Sequence, residues 1–309
     1  MDPALARQPE TPVPLLRPDG VTVAARRRRA RLPPGRPAVL LLHGLASNLT
    51  RFSEFVEHTT LDMRHDLLRA DLRGHGDSLS RRAVSHEVWS DDLAALLDAC
   101  GHADAVVVGH SLGAQVALHF AARHPERVRG LVLIDPVFRD ALLPRWHRLA
   151  RAGPLLSVAA AAVRALNALG LHRRRLPPVD LRALDRAARE ALGSPQAEAE
   201  FIRRYSSTRA DLRTTATAVY LQDLVEMFRA VPSRLGPAPP TLALLSSAAH
   251  FADPHRMRER LAAPGTTVVE VACNHWPLTE RPEQVRVAIE RWLAQQFGER
   301  GDCATDRVG

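Results

Sequence analysis

The 309-residue chain contains no lysine, and all 42 of its basic residues are arginine. That excludes a lysine-bearing phosphate loop, which needs an ammonium group at a fixed position. Aromatic residues make up only 5% of the chain, so its core must be built mainly from Leu, Val and Ala. Cysteine is scarce as well. Cys100, Cys273 and Cys303 are odd in number, far apart and without a CxxC pair. This suits free thiols in a reducing compartment better than a disulfide framework. With no HExxH pair and no Cys/His cluster at ligand spacing, neither a metal nor another cofactor is expected. Long apolar runs are missing too. The proline-rich start has no stretch of signal-peptide length, and the most apolar window, Pro154–Leu171, is interrupted by Arg164 and Asn167. No transmembrane segment is expected, and the expected location is the cytoplasm.

The net charge of +8 raises the question of a nucleic-acid partner. The arginines are scattered along the whole chain instead of gathered in one stripe, so no nucleic-acid role is expected. The densest run, Arg26–Arg29 with Arg31, reads as a solvated strand or turn at the edge of the fold.

What is present is an alternating pattern. Ala38–Leu42, Ala105–Val108, Leu131–Ile134, Leu242–Leu245 and Val268–Val271 are apolar runs, most without polar alternation, and Leu67–Leu72 is a weaker sixth. Such runs are expected of parallel strands covered on both faces. Between them lie helical stripes, such as Trp89, Leu93, Leu96, Leu97 and Cys100. The pattern predicts an α/β protein with a doubly wound, mostly parallel sheet.

The alternation breaks once. From Val137 to Pro240 helical patterns dominate, at Pro154–Leu169, Leu181–Leu192, Ala197–Tyr205 and Asp211–Phe228. The expected organisation is therefore a core formed by residues 1–136 and 241–297, an inserted helical cap at 137–240 and a flexible tail at 298–309. Leu155, Leu156, Val158, Val163, Leu166 and Leu169 are read as either an apolar substrate pocket or, in preference, the core of the cap. Leu221, Leu224, Val225, Met227 and Phe228 carry the same two readings.

The most informative stretch is Val106–Leu118, in which an apolar strand runs through Gly109-His110-Ser111-Leu112-Gly113 into an apolar helix. A serine hydroxyl attacks poorly unless the backbone projects it toward a base, and a tight strand–turn–helix elbow does so. The elbow crowds the positions two before and two after the serine, and glycine at 109 and 113 relieves that crowding. Ser111 is therefore the candidate nucleophile, and the Leu112 amide at the helix start can bind a developing oxyanion.

This stretch resembles the nucleophile elbow of the α/β-hydrolase fold superfamily, and three further segments match in order. His43-Gly44-Leu45 follows the first apolar strand, where the family has its oxyanion-hole motif; the resemblance implies the Leu45 amide as second donor. Asp71–Ser78 resembles the structural turn after the next strand. Asn274-His275-Trp276-Pro277 follows the last strand, where the family keeps its histidine. Of the 14 histidines, His275 is the candidate base, because its loop emerges at the sheet edge that carries the elbow.

The acid departs from the commonest family pattern. The loop after the strand that follows the cap, Ser246–Pro254, has alanine or histidine where an aspartate is expected, and Asp253 comes late. Asp253 before Pro254 also reads as a helix N-cap. Asp135, at the end of Leu131–Ile134, is the first candidate for the acid and Asp253 the alternative. Both preserve the order Ser, Asp, His that the fold imposes. The resemblance implies a carboxylesterase-like serine hydrolase acting on a small, hydrophobic ester through an acyl-enzyme. A thioesterase, an acyltransferase, a carbon–carbon bond hydrolase or a non-catalytic binding member would share the same constellation.

Overall fold

A computed structural model describes residues 6–33, 35–173, 175–191, 194–232, 238–248 and 250–298. Leu192, Ala249, Cys303, residues 233–237 of the proline-rich return and the tail beyond Gly298 lie outside the described residues.

The strands are β1 (Thr11–Leu16), β2 (Thr22–Arg28), β3 (Ala38–Leu42), β4 (Leu67–Ala70), β5 (Ala105–His110), β6 (Val128–Ile134), β7 (Thr241–Ser246) and β8 (Thr266–Val271). They form one sheet in the order β1-β2-β4-β3-β5-β6-β7-β8. From β4 to β8 all pairings are parallel, while β1–β2 and β2–β4 are antiparallel. All residues of β3 and β5 are buried. The reason is the two-residue period of a strand in a sheet covered on both sides. Leu40, Leu42 and Val107 enter one core, with Trp89 and Phe120. Val39, Leu41, Val106 and Val108 enter the other, with Phe52, Ile289 and Trp292. Truncating one of these leucines to alanine would cost about 2–5 kcal/mol.

The helices are α1 (Ser53–His58), α2 (His86–Cys100), α3 (Leu112–Arg123), α4 (Pro144–Arg151), α5 (Gly153–Ala168), α6 (Leu181–Ala191), α7 (Pro195–Tyr205), α8 (Thr208–Thr214), α9 (Thr217–Met227), α10 (Pro254–Leu261), α11 (Pro277–Glu280) and α12 (Pro282–Phe297). The expected stripe of α2 is buried throughout; Ser85 caps its start, and Gly101 ends it in the left-handed conformation at φ 75°. Between β6 and β7, no strand longer than an isolated bridge occurs among the described residues, only helices α4–α9 and a 3-10 turn.

Three local expectations need correction. The arginine run is not at the edge: β2 is the second strand, and β1 covers it. Arg27 donates to Asp66, Arg31 to Asp62 and Arg28 to the Val56 carbonyl, all three half-buried, whereas Arg26 and Arg29 are exposed as a solvated strand expects. The run Leu67–Leu72 stops as a strand at Ala70, because the Asp71 carboxylate turns the chain by accepting from the Leu49 and Asp77 amides at 2.6 and 2.8 Å. The helix expected over Asp211–Phe228 is two helices, parted at Thr215, whose backbone is extended.

Candidate active site

The C-terminal ends of neighbouring strands β3, β5 and β6 share an unusual backbone. Ala46, Ser111 and Asp135, at φ 49°, 53° and 46°, are the only non-glycine residues with positive φ among the described residues. An L-residue adopts this conformation only where its surroundings enforce it. At Ser111 the enforcement is visible: its N–H donates to the Ile134 carbonyl at 2.9 Å. A Cβ on Gly109 would collide with the Gly113 backbone, and one on Gly113 with the Leu42 and His43 carbonyls. Leu112 opens α3, so its N–H has no acceptor within the helix.

His275 stands in the loop between β8 and α11. Its Nε2 lies 2.9 Å from Ser111 Oγ, and its Nδ1 meets Asp135 Oδ2. A carboxylate only accepts, so Nδ1 carries the proton and Nε2 is left to accept from the Ser111 hydroxyl. The other Asp135 oxygen, Oδ1, accepts from the Ser246 amide at 2.9 Å and the Ser246 hydroxyl at 2.7 Å. Burial pushes the Asp135 carboxyl up, but the charge and hydrogen bond of His275 and the two bonds from Ser246 outweigh it. The group sits below the usual carboxylate range. Ser111, Asp135 and His275, far apart in sequence, are thus brought together.

Asp253 is elsewhere. Its carboxylate accepts from the His255 amide at 2.9 Å and caps α10. The neighbouring imidazoles have other tasks. His110 donates from Nε2 to the His275 carbonyl at 2.9 Å, and burial followed by the nearby His275 lowers it to about 3. His43 accepts the Leu72 N–H on Nε2 at 3.0 Å and donates from Nδ1 to the Gly44 carbonyl at 2.8 Å, which holds the turn leading into Leu45. Burial keeps His43 well below its ordinary value, hence neutral. Phe251 presents an edge to the His275 ring at 4.4 Å between centroids, and Trp276 does so at 5.8 Å. The partnership of Ser246 with Asp135 was missed in the sequence. It follows from the pairing of β7 with β6, which puts the two residues at adjacent strand ends and leaves no local signal.

A cavity of about 340 Å³ opens above Ser111, lined at its base by Leu45, His110, Ser111 and His275. Its roof comes from the helical segment: Trp146 and Leu149 of α4, Leu212 of α8, and Tyr220, Leu221, Leu224 and Met227 of α9. So part of the second apolar set faces the cavity. The first set does not: Leu155, Val158, Leu166 and Leu169 of α5 and its end are exposed, whereas Leu156 packs on the core and Val163 lines a separate groove. One polar corner holds Thr208, Asp211 and Tyr220, and burial raises the Asp211 carboxyl to about 6. A fully buried His75–Asp223 pair at 3.1 Å joins the loop after β4 to α9. Arg51 reaches Asp185 of α6.

An elbow serine on a strained turn, hydrogen-bonded to a histidine that a buried aspartate orients, beneath a mostly apolar cavity, is the architecture of a hydrolase. The chain belongs to the alpha/beta hydrolase fold family, whose model it matches over residues 37–282. It is 29% identical over 290 residues to an uncharacterized protein of Mycobacterium tuberculosis, with 88% of this chain and 80% of the relative covered. It is 36% identical over 99 residues to the sn-1-specific diacylglycerol lipase ABHD11 of Mus musculus, a match that spans 32% of either chain. Among solved structures, a thermophilic esterase from Thermogutta terrifontis superposes with a TM-score of 0.64 at 21% identity, over 93% of this chain and 99% of that one.

Proposed function

We propose that the protein is a serine esterase that cleaves a hydrophobic carboxylic ester through an acyl-enzyme on Ser111. The observation that carries the reading is the continuous path from Ser111 Oγ through His275 to the buried Asp135 carboxylate, directly beneath the cavity. Ser111 Oγ attacks the ester carbonyl as its proton passes to His275 Nε2. Asp135 holds the imidazole in the required tautomer and stabilises its cation. The Leu112 and Leu45 amides hold the tetrahedral oxyanion. His275 returns the proton to the leaving alcohol oxygen as the C–O bond breaks. It then takes a proton from water as the water oxygen attacks the acyl carbon, and passes that proton to Ser111 Oγ as the acyl–oxygen bond breaks and the acid leaves.

Residues 137–240 act as a cap in this reading, because α4, α8 and α9 supply the roof above Ser111. Trp146, Leu149, Leu221 and Leu224 favour an apolar acyl chain, consistent with relatives named as lipases and esterases. The test is turnover of p-nitrophenyl esters from acetate to decanoate, with fluorophosphonate labelling, on the wild type and Ser111→Ala. Wild-type turnover and labelling that both vanish in Ser111→Ala are expected. An inert wild type that also resists the probe would overturn the reading.

A further inference from the structure

Helix α5 is apolar nearly all round. Its inner side packs on the rest of the protein, through buried Ala160 and half-buried Leu156 and Val163. Its one charged residue, Arg164, is half-buried and donates to Gln222 of α9 at 2.6 Å. The outer side carries Leu155, Val158 and Leu166, with Leu169 and Leu171 just beyond its end. Leu155 is 74% and Leu169 77% exposed, where water would ordinarily select charge.

The chain on either side of this face carries charge of one sign. Between Asp140 and Asp180 the sequence has no acidic residue and seven arginines. Arg148 and Arg151 lie exposed in α4 at one end of the face, and Arg173 and Arg175 lie exposed at the other. Neither Arg148 nor Arg151 makes an ion pair among the described residues. An apolar face bordered by the guanidinium groups of Arg148, Arg151 and Arg175, with Arg173 donating to the Leu212 and Arg213 carbonyls, matches the boundary between acyl chains and anionic headgroups. The helix is 16 residues long, or about 24 Å at the α-helical rise, short of the roughly 30 Å needed to cross a bilayer. It is also bent by 54° from α4.

We infer that the outer face of α5 docks the protein on an anionic lipid surface, with α5 lying in the headgroup layer and the arginines of α4 and of the segment after α5 contacting phosphates. A groove of about 300 Å³ runs beside α5, lined by Leu79, Val163, Leu171 and Leu176. Thr217 lines both this groove and the cavity above Ser111, so the two adjoin. A hydrophobic ester drawn from the lipid layer along α5 would reach the serine by passing Thr217, the residue between the groove and the cavity. This last step rests on the esterase reading, whereas the docking itself does not.

The test is co-sedimentation of the full chain with vesicles of phosphatidylcholine alone or with about one third phosphatidylglycerol. The wild type should partition at least about tenfold more strongly onto the anionic vesicles, and less so in high salt. Leu155→Asp/Leu169→Asp should lose about tenfold or more in partitioning. Arg148→Glu/Arg151→Glu should abolish the preference for anionic lipid. Unchanged thermal unfolding in each variant shows that the fold is intact. Failure of the wild type to bind anionic vesicles, or undiminished binding by the leucine variant, overturns the inference. So does a wild-type dimer that leaves vesicles alone and becomes monomeric in the leucine variant, since a second copy then covers the face. Binding is read without turnover. An inert protein that sediments with vesicles keeps the surface and removes the esterase, and turnover without binding does the reverse.

Discussion

Stability should fall steeply as the pH drops from 7 to 5, and the histidine pair beside α9 is where this can be measured. His86 of α2 and His119 of α3 stack with ring centroids 3.8 Å apart and planes inclined by 4°. His86 Nε2 donates to the Glu226 carbonyl at 2.9 Å, while His86 Nδ1 and His119 Nε2 have no hydrogen-bond partner among the described residues. Burial, followed by the adjacent ring, lowers His86 to about 3, and burial followed by Arg229 lowers His119 to about 4, from an ordinary 6.5. Below pH 6.5 the unfolded chain therefore takes up protons that the folded chain refuses, and stability falls as pH falls. At about pH 5 each imidazole contributes a loss of about 2 kcal/mol, or roughly 4 kcal/mol for the pair, against a typical total of about 5–15 kcal/mol. Urea unfolding followed by far-UV circular dichroism at pH 7 and pH 5 measures this loss. His119→Leu removes one titrating group, so its loss between the two pH values should be smaller than the parent's by about 2 kcal/mol. Equal losses in parent and variant would refute the argument, because the ring would then titrate as freely in the fold as outside it.

Three further variants test the assignment of the acid and its partner. Asp135→Asn should lower kcat by about three to four orders of magnitude, since the amide turns His275 to the wrong tautomer. Asp253→Ala should leave kcat/KM within about twofold and lower stability by about 1 kcal/mol through its lost cap, so ester turnover and urea titration of the two variants separate the roles. Ser246→Ala removes one of the donors to the Asp135 carboxylate, and kcat/KM on p-nitrophenyl butyrate should fall by about tenfold, the effect of about 1.5 kcal/mol from a bond to a charged acceptor. Turnover equal to wild type would show that the Ser246 amide alone suffices.

The central strands were legible because burial on both faces leaves nothing but apolar residues: Ala38–Leu42 reads as a strand and is one, with the same ends. The strained turn at Ser111 was equally legible, since only glycine fits at 109 and 113. The β1–β2 hairpin was not. Only Val23 and Ala25 of β2 are buried, and the arginines that follow hide the alternation, because their partners Asp62 and Asp66 lie more than thirty residues away. The segment between β6 and β7 is legible as helical, but the direction of its faces is not. In α5 apolar residues occur on every side, so periodicity holds no information about which side faces inward. The acid was ambiguous for a different reason: two Asp-Pro steps look alike locally, and the strand pairing that brings Asp135 rather than Asp253 to His275 is a long-range fact.

The grouping around Ser111 also has a history within each molecule's synthesis. Ser111 and Asp135 leave the ribosome early, yet the Asp135 N–H is held by Leu244 and its carboxylate by Ser246, while the imidazole arrives only with residue 275. A nascent chain that has finished β6 carries a serine hydroxyl with no base and an aspartate with no orientation. The site is assembled when β7 and β8 complete the sheet, so a chain truncated before its final strand holds the serine without the means to use it.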